Sequence, residues 1–173
     1  MTIQELEQLI AQAGREIYSF CLHLTGSKTL ADDLYQDTFL KATEKLNQLK
    51  ADGNLKSYLL SVAWQLWKNQ RRKFAWRNRI APAETFDEER RHCSEAAEDI
   101  LEDYLREEER DAVREAVSKL EDKYKVPILL YYMEELSVAE VAKVLGIPPG
   151  TVKSRLSVAR KRLGSELEGY YNE

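Results

Sequence analysis

The sequence has few residues of the kinds that disulfide scaffolds, metal sites and phosphate-binding loops require. Its 173 residues include two cysteines, two histidines and seven glycines. His92 and Cys93 leave a metal or redox site open, but zinc sites normally show close-paired ligands, and the other cysteine, Cys21, is far away in the sequence. Since Cys21 lies in an apolar helical pattern, we interpret it as a buried thiol. We expect no metal and no cofactor.

Long apolar runs are also missing. No stretch approaches the roughly 20 apolar residues of a bilayer span. The N-terminal segment "MTIQELEQLI" carries two glutamates and no basic region, so it does not resemble a signal peptide. Hydrophobic residues make up 43% and charged residues 32% of the chain, which is typical of a soluble helical protein. We therefore expect a cytoplasmic protein without membrane insertion.

Charge is distributed unevenly along the chain. The formal net charge is −4, yet residues 68–79 carry +6 with no acid, and residues 149–164 carry +5 with no acid. Between them, residues 84–110 carry −8. This asymmetry indicates two separate surfaces that contact polyanions, joined by a segment that does not.

Apolar residues recur at helical spacing in the first half of the chain. This spacing predicts helices over residues 3–24 and 30–46 and a third that starts at Leu55 and ends in the first basic segment. Gly26 is the predicted stop of the first helix and Ser27 the cap of the second.

The second half of the chain begins with a polar, acidic stretch that has no periodicity. We interpret residues 81–97 as a linker, and the periodicity then returns from Ile100 to Leu120. Residues 126–133, "VPILLYYM", are compatible with a buried strand, but no partner strand occurs, and we predict a helix with Pro127 in its first turn. The predicted fold is all-α, with two small helical domains at 1–80 and 98–173.

Residues 136–163, "LSVAEVAKVLGIPPGTVKSRLSVARKRL", contain two apolar helix patterns separated by a turn. Gly146 is suited to end the first helix in the left-handed conformation, and Pro149 is suited to begin the second. The spacing of the two buried stripes predicts a helix-turn-helix. A solvated basic face on an ordinary surface helix is the alternative, but the second helix lacks the interleaved carboxylates that such a face normally has.

The same stretch closely resembles region 4 of bacterial sigma factors. The pattern "LS..E.A..LGIP.GTVKSRL..AR..L" is typical of the extracytoplasmic-function (ECF) group of the sigma-70 family. Residues 31–46, "ADDLYQDTFLKATEKL", resemble region 2.2, and residues 54–73, "NLKSYLLSVAWQLWKNQRRK", resemble regions 2.3 and 2.4. The resemblance covers nearly the whole chain except the linker.

The resemblance implies three sets of functional residues. The second helix of the helix-turn-helix would read the minus-35 promoter element through hydroxyl and basic side chains, namely Thr151, Lys153, Ser154, Arg155, Ser157, Arg160 and Lys161. Region 2 would bind the minus-10 element through Asn54, Lys56, Gln65, Lys68, Asn69, Arg72 and Lys73. A face of region 2.2 would dock on the clamp helices of the polymerase β′ subunit through Asp33, Leu34, Gln36, Asp37, Phe39 and Leu40.

Aromatic residues alternate with basic ones in region 2. Holding a single DNA strand needs stacking and phosphate contacts, and the candidate aromatics are Tyr58, Trp64, Trp67, Phe74 and Trp76. Some of these must belong to the core, and the sequence does not separate them. In region 2.2, Leu34 and Phe39 cannot both lie at the centre of one helix face, so we expect one to serve the core and the other the polymerase.

The chain departs from the family pattern at a few positions. Tyr58, Gln65 and Asn69 stand where the family usually has Trp, Asn and Asp, which bears on base preference at the minus-10 element rather than on the fold. The usual "LP..YR" before the helix-turn-helix is "LEDKYK" here. Residues 50–56 resemble the family loop that captures a flipped base.

The resemblance implies a sigma factor that is a monomer when free, binds core RNA polymerase through the β′ clamp helices and the β flap, and directs initiation at promoter DNA. It also implies an anti-sigma factor that occludes both domains. The chain would catalyse no reaction itself. The alternative from another class is a one-component regulator that binds an operator as a dimer. A helical hydrolase with a DNA-binding tail is disfavoured, because no glycine-rich phosphate loop occurs.

Overall fold

The computed structural model describes residues 2–45, 54–81 and 107–172. Nearly all of the predicted linker, with His92 and Cys93, lies outside the described residues, as do the Ile100–Leu105 pattern and the first part of the 50–56 loop. The chain divides into two compact units, residues 1–92 and 93–173. In the described ranges no strand occurs, and the prediction of an all-α fold with two helical domains is confirmed.

In its described residues, the N-terminal unit consists of three helices: α1 (Ile3–Thr25), α2 (Lys28–Glu44) and α3 (Leu55–Ile80). Each helix packs against the other two. Their core is apolar and includes the fully buried residues Ile17, Phe20, Leu24, Leu60 and Trp67. Cys21 is buried as predicted.

The caps of α1 and α2 follow the sequence prediction. Gly26 ends α1 with a φ of 68°, a left-handed conformation that favours glycine. The hydroxyl of Ser27 then accepts a hydrogen bond from the backbone N–H of Leu30 and caps α2. These two residues turn the chain sharply, so that α2 can pack back on α1.

The C-terminal unit contains α4 (Glu107–Lys119), α5 (Asp122–Ile128), α6 (Val138–Leu145) and α7 (Pro149–Tyr171). Helix α7 packs against each of α4, α5 and α6. It continues to Tyr171, past the 136–163 pattern, and its last turns lie along α4. In the described part of the chain, no helix has the length and apolar character needed to span a membrane.

The segment "VPILLYYM" is helical, as predicted, but the expected position of Pro127 is wrong. The helix begins at Asp122, so Pro127 lies in the last turn of α5 rather than in its first. Immediately after it, Leu129–Met133 forms a π-helical turn in which the N–H of Glu134 donates to the carbonyl of Leu129. Proline interrupts α-helical hydrogen bonding, and a wider turn beside it is an expected adjustment.

Gly146 ends α6 and makes the helix-turn-helix possible. Its φ is 65°, and its N–H donates to the carbonyl of Ala142. Nothing lies within 4 Å of a Cβ placed on Gly146, so the constraint is the backbone conformation and not space.

We expect Gly146→Ala to lower the free energy of unfolding by about 1 to 2 kcal/mol, because a residue with a Cβ is strained in the left-handed region. Gly164→Ala is the matched control, since Gly164 lies inside α7 with nothing within 4 Å of its Cβ position. Alanine there should stabilise by about 0.5 to 1 kcal/mol. Urea unfolding of the two variants measures both effects, and equal effects of the same sign would contradict the role of the turn.

Candidate promoter and polymerase interfaces

Helix α7 buries one stripe and exposes the rest of its surface. Val152, Leu156 and Ala159 are buried, and α7 packs against α6, where Val141 and Ala142 are also buried. Ser137 and Glu140 form a capping box at the start of α6, which fixes that helix before the turn. The two helices therefore form the predicted helix-turn-helix, with the opposite side of α7 open to solvent.

The residues predicted to read the minus-35 element lie on that open side and its flanks. Those with exposed side chains are Lys153, Ser154, Ser157, Arg160 and Lys161, and those half-buried at the flank are Thr151 and Arg155. The hydroxyl of Ser154 donates to the carbonyl of Thr151, 3.1 Å away. The structure thus brings the whole predicted set together on one helix.

Two arginines of α7 have different partners. Arg162 donates from Nη1 to Oε1 of Glu121 at 3.1 Å, and its guanidinium lies 4.5 Å from the ring centroid of Tyr124. Arg160 donates from Nε to the hydroxyl of Tyr132 at 2.6 Å. Arg162 is therefore neutralised by a carboxylate, whereas Arg160 is held by an uncharged oxygen.

Ion pairs join α7 to the helices beneath it. The hydrogen bond from Arg162, followed by that from Lys123, lowers the pKa of Glu121. The hydrogen bond to Glu166 raises the pKa of Lys119. Since these groups are solvent-exposed, the pairs contribute little to stability, but the lowered pKa keeps Glu121 ionised to a lower pH than an unpaired glutamate.

On α3, polar residues at helical spacing form one exposed face. Gln65, Asn69 and Arg72 follow one another at i, i+4 and i+7, and all three are exposed. Nη2 of Arg72 donates to Oδ1 of Asn69 at 3.4 Å. Lys68 flanks this face with its ammonium 5.7 Å from the ring centroid of Trp64, and Lys73 is exposed beyond it.

Two predicted minus-10 residues have other roles in the structure. Asn54 caps α3, because its Oδ1 accepts from the N–H of Ser57 at 3.1 Å. Lys56 lies about half a turn away from Gln65 around the helix axis and pairs with Glu16 of α1, with Nζ and Oε2 2.6 Å apart. The structure does not bring Lys56 together with the exposed face of α3.

The aromatic residues of α3, which the sequence did not separate, differ in burial. Trp67 is fully buried and belongs to the core, whereas Trp76 is 64% exposed. Trp76 is at i+11 from Gln65 and therefore lies on the exposed face that Gln65, Asn69 and Arg72 form. Tyr58, Trp64 and Phe74 are half-buried. Burial raises the pKa of Tyr58, so its phenol stays neutral.

The face of α2 predicted to bind polymerase divides into exposed and buried members, and this corrects one expectation. We had expected one of Leu34 and Phe39 to be available to the polymerase. Both are buried, at 2% and 8% exposure, so neither is available. They lie on opposite flanks of a wide buried face and contact the core from both sides. The exposed members are Asp33, Gln36, Asp37 and Leu40, and Leu40 is 62% exposed.

Tyr132 was not among the residues predicted to serve the site. We predicted a helix for "VPILLYYM" without a functional residue in it, yet Tyr132 is 54% exposed and hydrogen-bonded to Arg160. The two adjacent tyrosines at the end of an otherwise aliphatic run were the available signal, since a phenol hydroxyl usually seeks a polar partner.

Family models match both halves of the chain. The model for Sigma-70 region 2 matches residues 9–77, and the model for Sigma-70, region 4 matches residues 110–163. The ECF RNA polymerase sigma factor SigW of Bacillus subtilis is 28% identical over 158 residues, covering 88% of this chain and 83% of that protein. SigM of the same organism is 28% identical over 163 residues, covering 94% and 93%.

Solved structures show the same fold. The sigma factor RpoE, in complex with the anti-sigma factor NepR from Bartonella quintana, has a TM-score of 0.78 at 24% identity, covering 96% of this chain and 98% of that one. CnrH, in complex with the cytosolic domain of CnrY, has a TM-score of 0.66 at 20% identity, covering 95% and 88%. Regions 2 and 4 are matched in the family's order, and the ECF relatives align with most of the chain. The chain therefore belongs to the sigma-70 family of RNA polymerase sigma factors, in the ECF group.

Proposed function

We propose that this sigma factor binds core RNA polymerase and directs it to promoters, with α7 reading the minus-35 element and α3 binding the minus-10 element. The observation that carries the proposal is the open side of α7, where the side chains from Pro149 to Gly164 include five bases and no acid. The chain itself catalyses no reaction in this proposal, because polymerase supplies the chemistry.

For the minus-35 element, α7 would lie in the major groove. Lys153 and Lys161 are exposed and, in the described part of the chain, no carboxylate lies within 4 Å of either ammonium, so both are available to phosphates. Arg155 and the hydroxyls of Ser154 and Ser157 have the donor chemistry that base edges accept. These contacts place the helix in register on the duplex and read its sequence.

For the minus-10 element, the exposed face of α3 offers the two contacts that single-stranded DNA needs. Arg72 supplies charge for the backbone, and the ring of Trp76 supplies a surface on which a base can stack. Gln65 and Asn69 lie on the same face, N-terminal to Arg72, and can hydrogen-bond a base edge. Because Gln65 and Asn69 stand where the family usually has Asn and Asp, this protein would prefer a different minus-10 sequence.

For polymerase, the exposed part of the α2 face combines Asp33 and Asp37 with the apolar side chain of Leu40. An apolar centre with charged neighbours is the usual composition of a helix-docking surface. We propose that it binds the β′ clamp helices and that the C-terminal unit contacts the β flap. The spacing of the two DNA surfaces would then be set by polymerase, which raises their joint affinity through effective concentration.

We also propose that an anti-sigma factor holds the protein inactive. The support is that RpoE of Bartonella quintana, which shares the fold over 98% of its length, was solved with the anti-sigma factor NepR. The rival function, a one-component regulator that binds as a dimer, is not favoured, because residues 9–77 match Sigma-70 region 2. We expect a cytoplasmic monomer before it binds polymerase.

In vitro transcription tests the proposal. The purified protein and bacterial core polymerase are incubated with a pool of genomic fragments, and the transcripts are sequenced. We expect initiation downstream of one shared pair of elements. A protein that binds DNA alone as a dimer and starts no transcript with core polymerase would overturn the proposal.

We expect Lys153→Ala to weaken recognition of the minus-35 element. Loss of one phosphate contact should lower initiation about three- to tenfold and reduce the salt slope by about one unit. The readouts are the initiation rate at the best recovered promoter and its dependence on salt concentration. Lys119→Ala is the control, because Lys119 pairs with Glu115 and Glu166 on another surface. An equal change in both variants would contradict the assignment.

Leu40→Ala should weaken binding to core polymerase by about 1 to 2 kcal/mol and leave folding unchanged, since an exposed apolar contact matters only when a partner covers it. Ile3→Ala is the matched control, with a side chain of similar size that is 66% exposed on α1. Fluorescence titration with core polymerase gives both affinities. If Ile3→Ala and Leu40→Ala weaken binding equally, the α2 face is not the docking surface.

Trp67→Ala and Trp76→Ala distinguish a tryptophan that stabilises the core from one that contacts DNA. Truncation of the buried Trp67 should cost about 3 to 5 kcal/mol of stability, whereas Trp76→Ala should change stability by less than about 0.5 kcal/mol. Trp76→Ala should instead slow promoter opening, which 2-aminopurine fluorescence in the minus-10 element reports. Normal opening by Trp76→Ala would remove the stacking role from the proposal.

A further inference from the structure

The contact between Tyr132 and Arg160 crosses from the π-helical turn to α7. Nε of Arg160 lies 2.6 Å from the hydroxyl of Tyr132. The guanidinium also lies 5.6 Å from the ring centroid of Tyr132 and 5.8 Å from that of Tyr131, within the range of cation–π attraction. One hydrogen bond and two aromatic rings therefore restrict an arginine that would otherwise be a mobile surface side chain.

The two tyrosines owe their positions to the π-helical turn. Their ring centroids are 4.9 Å apart and nearly perpendicular, with an interplanar angle of 81°. The turn ends where the N–H of Leu136 donates to the carbonyl of Leu130, with Glu135 in a left-handed conformation at a φ of 56°. The wider turn displaces residues 131–133 around the helix relative to a regular α-helix, so both rings reach the same arginine.

The partner of Arg160 leaves its charge intact. A tyrosine hydroxyl accepts a hydrogen bond without neutralising the guanidinium, and the terminal amino groups of the fork remain as donors. Arg162, two residues further along α7, has its charge compensated by Glu121 at 3.1 Å. In the described ranges of the chain, no carboxylate lies within 4 Å of Arg160.

From this geometry we propose that Tyr132 is a positioning residue for promoter recognition. It holds Arg160 at the edge of the DNA-reading face of α7, with the terminal amino groups turned toward a phosphate of the minus-35 duplex. An arginine that is already restricted loses less conformational entropy when it binds, which raises affinity. The inference rests on the proposed function of α7 and adds a residue outside the helix-turn-helix to it.

Tyr132→Phe tests the proposal, because it removes the hydroxyl and keeps the ring. In holoenzyme with core polymerase, we expect initiation from the best recovered promoter to fall about three- to tenfold, the cost of ordering one long side chain at an interface. Arg160→Lys keeps the charge but loses the planar fork, and it should lower initiation by a similar factor.

Tyr124→Phe is the matched control. Tyr124 also lies beside an arginine of α7, but that arginine is fixed by Glu121, so loss of the hydroxyl should leave initiation unchanged. Thermal melting followed by circular dichroism checks that all the variants fold. Initiation equal to wild type in a folded Tyr132→Phe protein would overturn the proposal.

A double-mutant cycle separates positioning from a direct role. In an Arg160→Ala background, Tyr132→Phe should have no further effect. If Tyr132→Phe lowers initiation by the same factor in the Arg160→Ala background, Tyr132 acts without Arg160, and the inference is overturned. If Tyr132→Phe is inert while Lys153→Ala still weakens the minus-35 response, only the positioning role is wrong. If both are inert, the proposed reading by α7 is wrong as well.

Discussion

Burial of a single stripe on each long helix is the constraint on which both proposed DNA surfaces depend. Helix α7 must bury Val152, Leu156 and Ala159 to hold the C-terminal unit together. With that stripe fixed, the other positions of α7 lie on its flanks or its open side, and the bases occupy several of them. Helix α3 follows the same rule, since burial of Trp67 turns Gln65, Asn69 and Arg72 to solvent. The hydrophobic effect thus orients polar groups that make no contribution to the core.

Electrostatic roles are assigned by the neighbours that the fold provides. Arg160 and Arg162 have the same side chain and lie on one helix, yet one meets a phenol and the other a carboxylate. The acid ties α5 to α7, and the phenol orients a charge without removing it. On α3, Lys56 is likewise used within the fold, where it pairs with Glu16 on α1. A basic residue in a basic protein segment is therefore not by itself a DNA contact.

The sequence was a good guide to the helices and to the turns between them. The helix stops at Gly26 and Gly146 and the cap at Ser27 depend on the local backbone, so residue type and spacing predict them. The helix-turn-helix was predictable for the same reason. The burial of both Leu34 and Phe39 was not, because the width of a buried face depends on how many helices surround it.

The sequence by itself determined the helical class, the turn at Gly146, the basic second helix and the family, because each depends on residues close together in the chain. The tertiary structure alone decided which tryptophan belongs to the core, that Lys56 pairs with Glu16, and that Tyr132 holds Arg160. Those outcomes depend on pairs that are 28 or more residues apart, such as Tyr132 with Arg160, or on packing between helices. The periodicity of one helix shows which residues share a face, but the other helices determine what that face meets.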